Sequence, residues 1–207
     1  MKLYYSPGAC SLSPHILLHE AEMPFEAHLA STKTHKLADG SDYYQINPKG
    51  YVPTLEFDDG QRLTEGPAIV QWIADQVPHK RLAPPAGTLE RYRLMEWLNY
   101  ITAELHKGFG VLFNPAMPEE AKALMRLKLA DRFRFVDQAL ASRPYLLGQD
   151  FGAADAYLYV VTRWAAPMQV DLAGFEHMAR FMERVAARPA VQRALQAEGL
   201  SPAQAKA

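Results

Sequence analysis

The stretch Met1-Lys2-Leu3-Tyr4-Tyr5-Ser6-Pro7-Gly8-Ala9-Cys10-Ser11 joins a short apolar strand to a helix through a loop that carries a cysteine. The helix is predicted from about Ser11 to Glu22, so Cys10 stands at its start. Unpaired backbone N–H groups and the positive end of the helix dipole favour a thiolate at such a position. We therefore expect a reactive sulfur, the alternative being a buried cysteine that acts as a small hydrophobic residue.

The first eighty residues alternate strand and helix patterns. Apolar and polar residues alternate in 25–30, which predicts a half-buried strand, and the polar segment 31–41 predicts a loop. Segments 51–57 and 61–64 flank an Asp-Asp-Gly turn and predict a hairpin. Gly66-Pro67 opens the next helix, because proline is tolerated in a first helical turn. This order predicts a small α/β layer.

The strand patterns stop after Pro78, and the rest of the chain is helical in pattern. Pro84-Pro85-Ala86-Gly87 is typical of a rigid connector between domains. From about Leu89 to Gly199 the apolar spacing predicts four or five helices in a bundle. We predict an α/β domain, a linker and an all-helical domain, spanning 1–80, 81–86 and 87–207.

Composition excludes several classes of protein. The chain of 207 residues has a formal net charge of −1 and no basic block, which argues against nucleic-acid binding. One cysteine cannot form an intrachain disulfide. No segment approaches the ~18 apolar residues of a membrane span. We expect a cytoplasmic protein without a metal site.

Two stripes run along the first long helix of the second domain. The apolar stripe predicts a core face and consists of Leu94, Leu98, Ile101, Leu105 and Leu112. The second stripe is half polar, which is typical of a groove or an interface, and consists of Asn99, Thr102, His106, Phe109 and Phe113.

Five stretches carry a family resemblance that runs nearly end to end. They are Tyr4–Ser11, Asn47–Pro53, Leu63–Ile69, Glu96–Tyr100 and Glu104–Phe109. Together they resemble a bacterial glutathione transferase of the cysteine-bearing beta class. The resemblance implies the cytosolic glutathione transferase fold, with a thioredoxin-like N-terminal domain and a C-terminal helical bundle. It also implies a homodimer that uses glutathione as a co-substrate and holds no permanent cofactor.

The resemblance places the glutathione site on residues from both domains. They are Ala9, Cys10, His35, Val52, Pro53, Glu65, Gly66, Asn99, Ala103, Glu104 and His106. The resemblance implies a cis bond before Pro53, which frees the backbone of Val52 for the peptide groups of glutathione. Glu65 is expected to hold the ammonium group and the N–H of Gly66 a carboxylate. The alternative is a solvated strand end followed by an ordinary helix cap.

Three further assignments are open at the level of sequence. The second glutathione carboxylate is assigned to His35, where the family commonly has lysine, with Lys33 or Lys36 as alternatives in a solvated loop. The resemblance places His106 near the thiol, to hydrogen-bond or deprotonate it. A structural histidine is the alternative. Asn99, Ala103 and Glu104 are expected to reach the glutathione of the other subunit.

An apolar acceptor needs aromatic surface near the sulfur. The candidates, each of which is otherwise a core residue, are Phe109, Phe113, Met117 and Trp164. Gly152 stands where relatives have a hydroxyl N-cap, and we assign Asp155, three residues later, to folding rather than to the site.

We predict a glutathione S-transferase that conjugates glutathione with small electrophiles. Cys10 would orient the thiolate or form a mixed disulfide, which allows a monothiol, glutaredoxin-like exchange because no second cysteine exists. Tyr5 and Ser11 are rival activators. The alternative function is a non-catalytic protein of this fold that binds a protein partner or apolar ligands.

Overall fold

The computed structural model describes residues 1–200, so the last seven residues of the predicted helical domain lie outside it. The first part contains β1 (Lys2–Tyr5), α1 (Leu12–Glu20), β2 (Glu26–Leu29), β3 (Thr54–Glu56), β4 (Arg62–Thr64) and α2 (Gly66–Gln76). The second part contains α3 (Leu89–Tyr100), α4 (Lys107–Phe113), α5 (Glu119–Ala139), α6 (Ala153–Thr162), α7 (Glu176–Ala186) and α8 (Pro189–Ala197). A π-helical segment, Ile101–His106, joins α3 to α4. The thioredoxin-like layer followed by a helical bundle is confirmed.

The sheet has the strand order β2-β1-β3-β4. β2 is parallel to β1, β3 is antiparallel to β1, and β4 is antiparallel to β3. The end of β1, the start of β3 and the end of β4 therefore meet at one edge of the sheet. Tyr4, Thr54 and Thr64 pair across this edge. The loops that carry Cys10, Val52 and Glu65 leave the sheet together.

The expected half burial of the segment 25–30 is wrong. Ala27 and Leu29, which alternate on one face, are both exposed, Leu29 to 42%. β2 is an outermost strand of the sheet and pairs only with β1. Its alternating pattern identified the strand but not a buried face.

The interface between the two parts is built on α1. Every residue from Leu12 to Leu18 is buried, which is expected of a helix that is covered on all sides. It contacts α2 in the first part and both α6 and α8 in the second. The apolar stripe on α3 and the following segment, from Leu94 to Leu112, is buried as predicted.

Gly152 and Asp155 begin α6 as the sequence indicated. The carboxylate of Asp155 accepts hydrogen bonds from the N–H groups of Gly152 (2.9 Å) and Leu146 (2.8 Å). A Cβ on Gly152 would stand 2.8 Å from the carbonyl oxygen of Leu82. The glycine cap is therefore required by the close approach of the interdomain connector.

Within residues 1–200, no helix has the length and apolar character needed to cross a membrane.

Candidate active site

Cys10 lies immediately before the N-cap residue of α1, on the sheet edge described above. Its side chain is partly buried, and the thiol donates a hydrogen bond to the carbonyl oxygen of Val52 at 3.2 Å. The structure thus brings together two residues that are 42 positions apart and that sequence assigned to one site. The Cys10 thiol and the Val52 carbonyl group are therefore hydrogen-bonded to each other.

The expectation of a thiolate at Cys10 does not fit the structure. Burial raises the pKa of the Cys10 thiol to about 12, and this outweighs the lowering by its own N–H, by Lys107 and by the N–H of Ser11. The helix start acts in the expected direction, but the loss of water around the sulfur is the larger effect. Cys10 is therefore a neutral thiol at neutral pH.

The Cys10 loop is closed by short local hydrogen bonds. The Ser11 hydroxyl donates to the carbonyl of Ser6 (3.3 Å) and accepts from the N–H of Ser6 (3.1 Å). Ala9 donates to the same carbonyl and accepts from Leu12. The rival activators are engaged elsewhere, since Ser11 is fully buried in this loop and the ring of Tyr5 packs against His15.

The backbone N–H and the backbone carbonyl of Gly8 both form hydrogen bonds with the helical domain, which the sequence did not reveal. Its N–H donates to Glu198 at 2.9 Å, and its carbonyl accepts from the indole N–H of Trp164 at 2.8 Å. Glu198 is completely buried and also lies 2.8 Å from Nδ1 of His15 on α1. A carboxylate from the far end of the chain thus fixes the loop that presents Cys10.

The bond between Val52 and Pro53 is cis, as the resemblance implied. The preceding carbonyl, that of Tyr51, accepts from the Tyr43 hydroxyl (2.9 Å) and from the amide of Asn47 (2.7 Å). Both side chains are buried. Sequence reasoning missed this pair, although Asn47 begins the Asn-Pro-Lys-Gly stretch of the resemblance.

Glu65 and Gly66 stand at the start of α2, on the same edge of the sheet. The N–H of Gly66 makes no hydrogen bond with the described residues, and nothing lies within 4 Å of the place where its Cβ would stand. This open space beside a helix N-terminus suits a carboxylate. The Glu65 carboxylate is exposed and pairs with the ammonium group of Lys49, which also donates to Thr64. The assignment of Glu65 to the ammonium group of glutathione stays a prediction.

His35 lies against the loop that precedes Val52. Its Nδ1 contacts the carbonyl oxygen of Gly50 at 3.1 Å, and its ring packs on Tyr44. A Cβ on Gly50 would stand 2.9 Å from the His35 ring, so this position requires glycine. Lys33 and Lys36 are exposed in the neighbouring loop. The assignment of the second glutathione carboxylate to His35, Lys33 or Lys36 therefore stays a prediction.

His106 ends the π-helical segment and points to α6. Its Nδ1 lies 2.5 Å from the Tyr157 hydroxyl, and its ring makes an edge contact with Trp164. Burial lowers the pKa of His106 to about 4, with a smaller lowering by Lys107 and an opposing effect of Glu65. Because Lys107 and Glu65 also act on Cys10, the two predicted catalytic residues share one electrostatic environment.

The half-polar stripe is only partly a groove. The exposed Asn99 donates to the carbonyl of Met95 within its own helix. Ala103 is exposed, and Glu104 pairs with Arg132 of α5 at 2.8 Å beside a cavity of about 550 Å³. Within the described residues, the polar contacts of Asn99 and Glu104 are thus with Met95 and Arg132.

The aromatic candidates for the acceptor site form one cluster around Trp164. The rings of Phe109 and Phe113 make edge contacts with Trp164 at 5.6 and 5.4 Å. Phe109 has no exposed surface, so its predicted contact with an acceptor does not fit the structure, because it packs beneath the other two rings. Phe113 is 48% exposed and Met117 is 37% exposed, and they are the members of this set open to an acceptor.

Family models match both parts of the chain. The model of the glutathione S-transferase N-terminal domain matches residues 8–76, and that of the glutathione S-transferase C-terminal domain matches residues 100–189.

Similar proteins cover almost the whole chain. Glutathione S-transferase GstA of Escherichia coli O157:H7 is 50% identical over 97% of this chain and 100% of its own length. The structure described as a ternary complex of BphK, a bacterial GST, has a TM-score of 0.95 and 54% identity over 97% of this chain and 100% of its own. A bacterial beta class glutathione S-transferase of Sphingomonas chungbukensis has a TM-score of 0.94 and 42% identity, covering 97% of this chain and 100% of its own. This chain therefore belongs to the glutathione S-transferase family.

Proposed function

We propose that this protein conjugates the thiol of glutathione with small apolar electrophiles, and that glutathione is a co-substrate rather than a resident cofactor. The observation that carries the proposal is the meeting of four kinds of group at one edge of the sheet. These are the Cys10 thiol, the Val52 carbonyl, the free N–H of Gly66 and the Glu65 carboxylate. They complement the thiol, peptide, carboxylate and ammonium groups of glutathione.

Binding would exchange contacts that the free protein already makes. The peptide N–H of glutathione would take the Val52 carbonyl from the Cys10 thiol, which then becomes free to donate to the glutathione sulfur. The ammonium group would replace Lys49 at Glu65, and a carboxylate would enter the space at Gly66. His35, Lys33 or Lys36 would hold the other carboxylate. His106 would hydrogen-bond or deprotonate the sulfur, which attacks the electrophile beside the exposed side chains of Phe113 and Met117.

A second activity, thiol-disulfide exchange, follows from the position of Cys10. Cys10, after losing its thiol proton to solvent, would attack a glutathione mixed disulfide, form a new bond between its own sulfur and the glutathione sulfur, and release the other thiolate. A second glutathione thiolate would then attack this adduct, give oxidised glutathione and restore Cys10. No other cysteine exists to resolve it.

We propose a homodimer in which Asn99, Ala103 and Glu104 face the glutathione bound by the partner subunit. Support comes from their placement, since Asn99 and Ala103 are exposed and Glu104 lines an open cavity. A cytoplasmic location stays a prediction.

The conjugation of glutathione with chlorodinitrobenzene tests the transferase function, and retention on immobilised glutathione tests binding. The proposal predicts both. Retention without conjugation would support the alternative of a non-catalytic binding protein, and the absence of both would refute a glutathione site.

Intact-mass analysis after incubation with oxidised glutathione tests the exchange activity. The wild-type chain should gain one glutathione, and the Cys10→Ala variant should gain none. An unmodified wild-type chain would refute the mixed disulfide at Cys10.

A further inference from the structure

We propose that Tyr157 is a positioning residue for the transferase reaction, which fixes the protonation of the His106 ring. Its hydroxyl donates to Nδ1 of His106, so the single proton of the neutral imidazole stands on Nε2 and is offered to the glutathione sulfur. This inference rests on the proposed function and settles the role that sequence left open for His106. The ring acts as a hydrogen-bond donor to the thiolate rather than as its base.

The contact between the two side chains is short and enclosed. The Tyr157 oxygen lies 2.5 Å from Nδ1 of His106, and the two rings meet edge to face at 5.8 Å. Tyr157 is on α6 and has 2% of its surface exposed. Its one other polar neighbour among the described residues is the hydroxyl of Thr102, at 3.4 Å.

The proton can be assigned from the hydroxyl groups. Thr102 lies 2.8 Å from the carbonyl of Leu98, one turn earlier, and this bond uses its only hydrogen. The Tyr157 hydrogen can then go to Thr102 at 3.4 Å, which is beyond the usual O–H···O range of about 2.5–3.0 Å, or to His106 at 2.5 Å. Burial raises the pKa of Tyr157, so the hydroxyl keeps its proton. Tyr157 is therefore the donor and Nδ1 the acceptor.

His106 lies beside the Cys10 loop, because Trp164, which its ring contacts, donates its indole N–H to the carbonyl of Gly8 in that loop. Nε2 of His106 has no hydrogen-bond partner within residues 1–200, and the ring shares the charges of Lys107 and Glu65 with Cys10. The edge contact with Trp164, at 5.0 Å, holds the plane of the ring. With Nδ1 occupied, the thiol proton of glutathione leaves to solvent, and the Nε2–H group stabilises the thiolate that remains.

The tautomer can be read directly by nitrogen NMR of protein labelled at histidine, with the His106→Gln variant to identify the signals. We expect a protonated Nε2 and an unprotonated Nδ1 at neutral pH, independently of any activity. A protonated Nδ1 in the wild-type protein would overturn the inference. In Tyr157→Phe we expect the two tautomers to become mixed.

A double-mutant cycle tests the consequence for catalysis. Tyr157→Phe should lower kcat/KM for conjugation by about twofold or more, because mixing of the two tautomers removes the Nε2–H donor to the charged sulfur from about half of the population. His106→Gln, whose amide can stand in for Nε2–H, should keep more activity than His106→Ala. Adding Tyr157→Phe to His106→Gln should cause little further loss. An equal loss in both backgrounds, or none in either, would overturn the inference.

The matched control is Tyr159→Phe, which removes another buried tyrosine hydroxyl from α6, one bound to Arg163. It should leave kcat/KM unchanged, whereas an equal loss there would show a structural effect of the helix and contradict the inference. A wild-type protein that does not conjugate would refute the proposed function, and the NMR result would still decide the tautomer.

Discussion

Replacing Glu198 by alanine should both unfold the protein more easily and weaken its hold on glutathione. The Glu198 side chain has no exposed surface, and it accepts from the N–H of Gly8 while it pairs with His15. Alanine leaves both groups buried without a partner, at about 1–3 kcal/mol each. We expect the free energy of unfolding to fall by about 3 kcal/mol, the range for a broken buried pair. Because Gly8 belongs to the Cys10 loop, KM for glutathione should rise several-fold.

Urea denaturation at a fixed protein concentration measures the first effect, since unfolding of the proposed dimer would depend on concentration. Glu198→Gln keeps the volume and one acceptor, so it should lose only about 1 kcal/mol. Glu183→Ala, on the exposed side of α7, is the control and should stay within about 0.5 kcal/mol of the wild type. A loss below about 1 kcal/mol in Glu198→Ala, or an unchanged KM, would refute the tether between Glu198 and the loop.

Three further predictions concern single side chains. The folded state keeps His106 neutral down to its pKa of about 4, whereas the unfolded chain binds a proton near pH 6.5, so stability falls as pH falls between these values. His106→Gln should remove about 3 kcal/mol of that dependence in urea titrations at several pH values, and an unchanged slope would contradict it. Trp164→Phe should lower the free energy of unfolding by about 1 kcal/mol and raise KM for glutathione, because the hydrogen bond to the Gly8 carbonyl is lost. An unchanged KM would argue against a role of this hydrogen bond in holding the Cys10 loop. Gly152→Ala should lower the free energy of unfolding in urea by about 1–3 kcal/mol, since its Cβ meets the Leu82 carbonyl, and an unchanged value would contradict the need for glycine at this cap.

Sequence predicted the elements of the site that depend on the order of strands. Once β1, β3 and β4 are placed, antiparallel pairing brings Cys10, Val52 and Glu65 to one edge. The core stripe from Leu94 to Leu112 and the cap at Asp155 follow from local spacing and local hydrogen bonds. Such features need no knowledge of distant contacts.

The remaining features depend on contacts between distant residues. Glu198 and His15 are 183 positions apart, and His106 and Tyr157 are 51 apart, so no periodic pattern links either pair. The raised pKa of Cys10 reflects burial, which a helix-start argument does not include. The π-helical segment from Ile101 to His106 was also missed, because a 3.6-residue period assumes a regular helix.

The pH titration of the thiolate absorbance of bound glutathione tests the central claim most directly. The account predicts that the site stabilises the thiolate, so the pKa of bound glutathione should lie below the value near 8.5 of an ordinary thiol. The Cys10→Ala and Tyr157→Phe variants should each move it back toward that value. A bound thiol that titrates like free glutathione in the wild-type protein would contradict the account.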